Sequence, residues 1–391
     1  MFGSYLTQWD LLVIVFYFVF QFSLGFIFKA FSKDASDYFR GGGSMLWWLV
    51  GASAFMTQFS AWTFTGAAGK AYVDGTLVMA IFFGNALGYF CNYLYTSYRY
   101  RRMRVVTAIE GVRDRFGPVN EQVFTWLQVP MSVVYAGIWL NGLGIVASSF
   151  FNVDPSFTVL IVGVVVVLMS VMGGSWAIVA SDFMQTLLLM SITLVACFLA
   201  LSHPAVDGLS GLLTKLPEGH LKPWDAEDAT FVYFWIFAAF VIQSFKLNNM
   251  FDAYRYLCVK DDKQARKASL MASILMFLGP FIWFIPPMAA RIIQPDLALV
   301  FPELGDKAYE GAFVFIGLEL MLLGMVGLLL CALFAATISS MDTGLNRNAG
   351  IIVKNFYQPV FRKNASPGHL LLAGKVISAL FGALIIVAAL G

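Results

Sequence analysis

Ten apolar runs divide this 391-residue chain, and each is long enough to cross a lipid bilayer as an α-helix. A spanning helix needs roughly 20 apolar residues. The runs cover 10–32, 46–72, 77–99, 121–149, 156–173, 175–201, 229–258, 268–292, 323–346 and 368–391. Because helices satisfy their own backbone hydrogen bonds inside lipid, the runs predict an all-α polytopic membrane protein.

The composition agrees with a chain whose main partner is the lipid bilayer. Hydrophobic residues make up 59% of the sequence and charged residues only 12%, against about 25% charged in soluble domains. The net charge of +2 gives no reason to expect nucleic acid. The four cysteines show no CxxC or metal spacing, and we interpret them as buried thiols.

The distribution of lysine and arginine predicts the orientation in the membrane. With the N-terminus outside, inward loops and helix ends hold 18 of the 25 basic residues, and outward loops hold five. Positive charge favours the cytoplasmic side. We therefore predict a multi-pass protein of the cell membrane with its N-terminus outside.

Polar residues interrupt two of the spans. Residues 51–69, "GASAFMTQFSAWTFTGAAG", place Thr57, Gln58, Ser60, Thr63 and Thr65 between glycines. Such a segment can pack closely against its neighbours, or it can unwind and offer free backbone carbonyls. Polar side chains in a membrane are costly and usually functional, so we take Gln58 and Thr63 as candidate solute contacts.

The second interrupted span holds residues 243–255, "QSFKLNNMFDAYR". Asparagines are poor helix-interior residues, so Asn248 and Asn249 predict a break. Lys246 either neutralises Asp252 or meets an anionic solute, and internal ion pairing is the favoured interpretation. The solute alternative makes Lys246 a candidate binding residue.

A run of oxygen-bearing side chains ends the apolar segment before residue 346. In "AATISSMDTGLN", residues 335–346, Ala336, Ser339, Ser340 and Thr343 fall on one helical face. Hydroxyl and carbonyl oxygens suit a hard metal cation. The alternative is that these hydroxyls bond back to the carbonyls of their own helix, although this leaves Asp342 unexplained.

Asp182 is a second acid within a span. By counting residues from the inner helix ends, it lies at about the same depth as Asp342, roughly 10 Å from the inner face at 1.5 Å per residue. The two carboxyl groups could therefore face each other near one ion.

Five segments in this order resemble the sodium/solute symporter family. They are "DYFRGGGSMLWWLVGASAF" (37–55), "RVVTAIEGVRDRFG" (104–117), "GGSWAIVASDFMQ" (173–185), "YRYLCVKDDKQARKA" (254–268) and "FAATISSMDTGLN" (334–346). The resemblance implies the inverted-repeat fold of the leucine transporter, with two five-helix halves and broken first and sixth core helices.

The resemblance also implies a domain organisation. Residues 1–391 form a single transmembrane transporter domain, in which 10–32 is an extra N-terminal helix. The first repeat covers 44–201 and the second 229–391. The second repeat shows only four spans, so the tenth core helix that family members have is missing from the sequence. Either the chain is truncated or a partner supplies the closing helix, and truncation is favoured.

The family's sodium site maps onto five positions by resemblance. The carbonyls of Met56, Phe59 and Ala336 and the hydroxyls of Ser339 and Ser340 are the implied Na⁺ ligands. Some members hold a second cation, and the matching side chains, besides Ser339, are Asp182, Asp342 and Thr343. Position 342 departs from those members, which have serine there.

Solute residues follow less directly from the resemblance. Thr63 and Asn249 stand where sugar carriers of the family place polar contacts. The expected function is sodium-coupled symport of a small organic solute, such as a sugar, polyol, amino acid or carboxylate. The alternative is a membrane sensor with the same fold. An enzyme is not expected, no catalytic residue is assigned, and the oligomeric state and the solute stay open.

Overall fold

A computed structural model of the protein describes residues 6–151, 154–222, 229–252 and 254–391. Within these residues, all regular elements are helical, and one isolated parallel bridge joins Met45 to Val259. The first helices are α1 (Gln8–Phe28), α2 (Ala35–Arg40), α3 (Trp47–Met56), α4 (Ala61–Phe64), α5 (Gly66–Asp74), α6 (Met79–Cys91), α7 (Ser97–Arg102), α8 (Ala108–Phe116), α9 (Pro118–Phe151) and α10 (Pro155–Ser202).

The chain continues through ten further α-helices. They are α11 (Gly208–Lys215), α12 (Ala229–Leu247), α13 (Tyr254–Leu257), α14 (Asp262–Leu278), α15 (Pro280–Trp283), α16 (Ile285–Ile293), α17 (Ala312–Leu320), α18 (Met325–Ile351), α19 (Gln358–Phe361) and α20 (Pro367–Leu390). Short 3₁₀ and π segments join several of them.

Eight continuous helical stretches of the described chain are long and apolar enough to cross a membrane. There are eight stretches and ten predicted spans because two of the stretches each contain parts of two predicted spans, joined through a turn. Ala61–Arg102 joins the end of the first broken helix to the next span, and Ser156–Ser202 joins two predicted spans. The predicted apolar segments are otherwise recovered.

Gly174 divides α10 where the sequence predicts a boundary between two spans. Its backbone has φ 57° and ψ −158°, a combination that essentially only glycine adopts. A Cβ at this position would lie 2.7 Å from a ring carbon of Tyr38 and 2.8 Å from its carbonyl oxygen. Both the conformation and the close approach of Tyr38 therefore require glycine.

Both predicted helix breaks are present. The first separates α3, which ends at Met56, from α4, which begins at Ala61. The second follows Leu247, where α12 ends, and helix resumes at Tyr254. Breaks inside a membrane leave backbone groups without helical partners, so neighbouring elements must satisfy them.

Helix α18 is the central element. It packs against α1, α9, α10 and α20, and most of its residues are buried. At its N-terminal end, the Asp10 carboxylate accepts a hydrogen bond of 2.8 Å from the Gly327 backbone N–H. A carboxylate at a helix N-terminus satisfies a free donor and favours the helix dipole, so α1 fixes the start of α18.

We expect Gly174→Ala to destabilise the protein by about 1–3 kcal/mol, because alanine must adopt a glycine-only conformation against Tyr38. The measurement is the thermal unfolding midpoint of the purified protein in detergent. Gly142→Ala in α9 is the matched control, since a Cβ there meets nothing within 4 Å and alanine favours the helix. Equal midpoints for the two variants would contradict the role assigned to Gly174.

Candidate functional site

Ser340 connects α18 to the first helix break. Its hydroxyl donates a hydrogen bond of 2.7 Å to the Phe59 carbonyl oxygen and lies 3.2 Å from that of Thr57. The Ala336 carbonyl, one turn earlier on α18, is 3.5 Å away. Three carbonyl oxygens and a hydroxyl thus converge at one buried point, which is the hard-oxygen environment that a small metal cation needs.

The two other residues of the predicted sodium site flank this point. The Met56 carbonyl, at the end of α3, accepts a 2.9 Å hydrogen bond from the Phe59 N–H. Ser339 is buried with its hydroxyl close to the Asp182 carboxylate, but in a geometry that gives it no hydrogen bond to described protein atoms. A buried hydroxyl oxygen without a partner is one that a bound cation could satisfy.

Thr337 supports the same break, and the sequence interpretation missed it. Its hydroxyl accepts a 3.0 Å hydrogen bond from the Ala61 backbone N–H, the first donor of α4. Ser60, the residue at the usual capping position, makes no side-chain cap. Helix α18 therefore caps α4 in place of the local residue. The available sequence signal was the density of hydroxyls in residues 335–346.

Arg255, on α13, joins two of the residues predicted for a second cation. Its Nη2 donates to Asp182 at 3.3 Å and also to the Thr343 hydroxyl. The same nitrogen donates to the Thr57 hydroxyl at 2.9 Å. Asp182 accepts a further hydrogen bond from Ser53. Asp182 and Thr343 are thus brought together around a guanidinium nitrogen.

Asp342 lies apart from this contact. Its carboxylate accepts a hydrogen bond from Ser170 on α10, and it borders a small space beside Gln21 and Gly25 of α1. No hydrogen bond or ion pair joins Asp342 to Arg255 or Thr343 in the described chain. The three residues predicted to share a second cation are therefore separated. Thr343 and Asp182 meet at Arg255 on one face of α18, and Asp342 lies on another face.

A cavity of about 620 Å³ adjoins Phe59 and Ser340 of the predicted sodium site. All four predicted solute residues line it, namely Gln58, Thr63, Lys246 and Asn249. The hydroxyl-bearing face of α18 contributes Ser340 and Thr343 to the same wall. The cavity thus lies against both helix breaks and the predicted sodium site at once.

Further polar residues line the cavity and were not predicted. They are Asn85, Gln128, Ser132, Tyr135, Gln243, Asp252, Arg347 and Asn348. On α9, residues 128, 132, 135 and 139 recur at helical spacing and mark one face, a pattern present in the sequence. Asn85 is buried, and its side-chain oxygen has no hydrogen-bond partner in the described chain, so it is available to a ligand.

The charged residues of the cavity pair differently from the favoured interpretation. Asp252 forms its salt bridge with Arg347, at 3.6 Å. Lys246 forms no salt bridge with any described carboxylate. The predicted direct ion pair of Lys246 with Asp252 is therefore not formed, although the charge of Lys246 still acts on Asp252 from a longer distance. Lys246 is instead an exposed ammonium group at the cavity wall.

Asn249 acts within the second break. Its side-chain oxygen accepts hydrogen bonds from the backbone N–H groups of Phe251 and Asp252, at 2.8 and 3.0 Å. Its amide nitrogen donates to the Lys246 carbonyl at 2.7 Å. Asn249 therefore shapes the turn that exposes Lys246, besides lining the cavity.

Residues 38–391 match the family model described as the sodium:solute symporter family. The chain belongs to this family. It is 26% identical to the sodium/myo-inositol cotransporter 2 of Oryctolagus cuniculus, over 94% of the chain and 59% of that protein. It is 25% identical to the sodium/sialic acid symporter SiaT of Proteus mirabilis, over 90% of the chain and 72% of that protein. The chain thus spans about three-fifths of the length of its myo-inositol relatives.

A solved structure of a Na⁺-coupled sialic acid symporter, in a substrate-bound outward-open state, has the same fold. Its TM-score is 0.83 at 21% identity, over 98% of this chain and 82% of that one. The predicted fold class, a helical membrane protein with inverted repeats and broken first and sixth core helices, is confirmed. The relatives named are transporters, which agrees with the expectation that this sodium:solute symporter family member is not an enzyme.

We expect Thr337→Val to lower the stability of the protein and the Na⁺ affinity of the predicted sodium site. Valine has a similar shape but no acceptor for the Ala61 N–H, and a buried unpaired donor costs about 1–3 kcal/mol. Thr337→Ser is the matched control because it keeps the hydroxyl. The measurement is the rise in thermal midpoint that NaCl produces relative to KCl. An undiminished sodium-specific rise in Thr337→Val would contradict the capping role.

Proposed function

We propose that the protein carries a small organic solute across the cell membrane together with Na⁺, by alternating access and with its N-terminus outside. The supporting observation is the Ser340 hydroxyl at 2.7 Å from the Phe59 carbonyl, with the Ala336 carbonyl beside it. This contact joins oxygens of the first broken helix to oxygens of α18, as the sodium site implied by the family requires.

Sodium is a transported substrate in this proposal. Met56, Phe59, Ala336, Ser339 and Ser340 hold it and replace its water shell with protein oxygens. An ion bound there ties the first repeat, residues 44–201, to the second, residues 229–391. It favours the conformation in which the two sets of oxygens meet, because a ligand shifts an equilibrium by its difference in affinity for the two states.

The solute binds in the adjoining cavity. Its volume of about 620 Å³ lies within the range of roughly 300–1,000 Å³ usual for small-molecule sites. Ser340 belongs to both the cavity wall and the sodium site, so occupation of one site affects the other. Coupling of this kind is reciprocal between the two ligands.

The lining favours a hydroxylated solute that carries a carboxylate. Amide and hydroxyl side chains such as Gln58, Thr63, Asn85 and Ser132 can pair with hydroxyl groups. Arg347 and Asp252 neutralise each other. Among the described residues, Lys246 is left as a positive charge without a salt bridge at the wall, which attracts an anionic group. The named relatives are symporters and cotransporters, so no observation favours the sensor alternative.

Ser340→Ala should lower the apparent Na⁺ affinity about tenfold or more, which corresponds to about 1.4 kcal/mol. The variant loses the hydroxyl that bridges the break and α18. The measurement is the Na⁺ concentration dependence of the thermal midpoint at constant ionic strength. Ser269→Ala is the matched control, since Ser269 is a buried serine whose hydroxyl donates to the Ala265 carbonyl of its own helix. Equal Na⁺ dependence in both variants would reject the site.

Lys246→Met should abolish a preference for an anionic solute. Glucose and glucuronate, which differ at one carboxylate, are suitable paired probes in a thermal-shift assay with NaCl. The wild-type midpoint should rise more with glucuronate, and the variant should lose that difference because no ammonium group remains. Lys246→Arg keeps the charge and is the control. A wild-type protein that responds to glucose but not glucuronate would contradict the assignment.

A further inference from the structure

The Arg255 side chain is buried within a cluster of oxygen atoms in the membrane interior. Its Nη2 contacts the hydroxyl of Thr57 at 2.9 Å, a carboxylate oxygen of Asp182 at 3.3 Å and the hydroxyl of Thr343. The three oxygens belong to the first helix break, to α10 and to α18. One cationic nitrogen therefore joins three separate elements through hard-oxygen contacts.

Asp182 and Thr343 are two of the side chains that the family resemblance assigns to a second cation. In this chain the guanidinium of Arg255 already places a positive charge between these two side chains. We propose that the Arg255 guanidinium is a resident cation of the second site, so that the protein binds a single Na⁺ per chain. The proposal rests on the proposed function, because it concerns the number of sodium ions that the symporter uses.

Charge balance supports this assignment. Asp182 carries one negative charge, and the Arg255 salt bridge neutralises it. A second Na⁺ at these oxygens would place two positive charges beside one carboxylate, and like charges this close repel each other. The same ion would also need the oxygens that Nη2 already occupies.

Asp342 does not supply the missing negative charge. Its carboxylate accepts a hydrogen bond from Ser170 and lies beside Gln21 and Gly25 of α1. It forms no salt bridge with any described basic group. The acid at position 342 therefore leaves the charge balance of the Arg255 site unchanged.

The resident cation is adjacent to the sodium site. Thr57 accepts from Arg255 through its hydroxyl, and its carbonyl oxygen lies 3.2 Å from the Ser340 hydroxyl. One residue of the helix break therefore separates the guanidinium from the Na⁺ ligands. The Nε and Nη1 atoms of Arg255 have no hydrogen-bond partner in the described chain. The connection between the two sites thus depends on Nη2 alone.

The test counts bound ions directly. The purified protein without solute is titrated with radioactive Na⁺ at constant ionic strength, with K⁺ as the balancing ion. The wild type should saturate at one Na⁺ per chain. Arg255→Gln removes the resident charge and leaves Asp182 unpaired, so it should saturate at two. Arg255→Gln combined with Asp182→Asn removes both charges and should return the value to one.

Arg347→Gln is the matched control. It breaks the other arginine–aspartate pair of the cavity, where no cluster of described hydroxyls surrounds the arginine nitrogen, and it should still bind one Na⁺. Thr343→Val provides a second measurement that keeps the salt bridge intact. It should also bind one Na⁺, with an affinity within about twofold of wild type.

Two sodium ions on the wild type would overturn the resident cation while leaving sodium symport in place. One ion on Arg255→Gln would also overturn it, because the vacated oxygens would then hold no cation. If that variant does not fold, loss of a bound ion in Thr343→Val would overturn the resident cation instead, because it would show that Thr343 holds Na⁺. The absence of saturable Na⁺ binding in every variant would reject the proposed function itself.

Discussion

The structure depends on how a membrane protein satisfies the backbone of an interrupted helix. Between Met56 and Ala61 the backbone leaves its helical path, so backbone groups there need hydrogen-bond partners from other elements. Helix α18 supplies both a donor and an acceptor to this backbone. Ser340 donates to the Phe59 carbonyl, and Thr337 accepts from the Ala61 N–H. The residues that stabilise the break also form the proposed ion site, so its stability and its ion binding have the same origin.

Electrostatics divides the interior into neutral and charged parts. Arg255 pairs with Asp182, and Arg347 pairs with Asp252, so each of these two arginines is compensated by one acid. Lys246 forms no salt bridge with a described acid, acts on Asp252 only from a longer distance, and lies at the cavity wall. Unpaired charge is costly in a membrane, which is consistent with the proposed solute that brings an opposite charge to Lys246.

The sequence predicted features that depend on local residues. The two breaks, the division at Gly174 and the oxygen-rich face of α18 follow from residue types and helical spacing. Features that depend on tertiary packing were missed. Arg255 and Asp182 are 73 residues apart in the chain, and Thr337 contacts a donor 276 residues away. Asp252 makes its direct contact with Arg347 and not with Lys246, because the path of the chain through a break cannot be derived from spacing.

The position of Asp342 shows why one helical step matters. Successive residues of a helix are separated by about 100°, so 342 and 343 face different neighbours. Thr343 points to Arg255 and the first break, whereas Asp342 points to Ser170 and α1. The Asp342 carboxylate therefore does not share the contacts that Thr343 and Asp182 make with Arg255. The electrostatics of the second site depends on Asp182, and the only positive charge in contact with Asp182 in the described chain is that of Arg255.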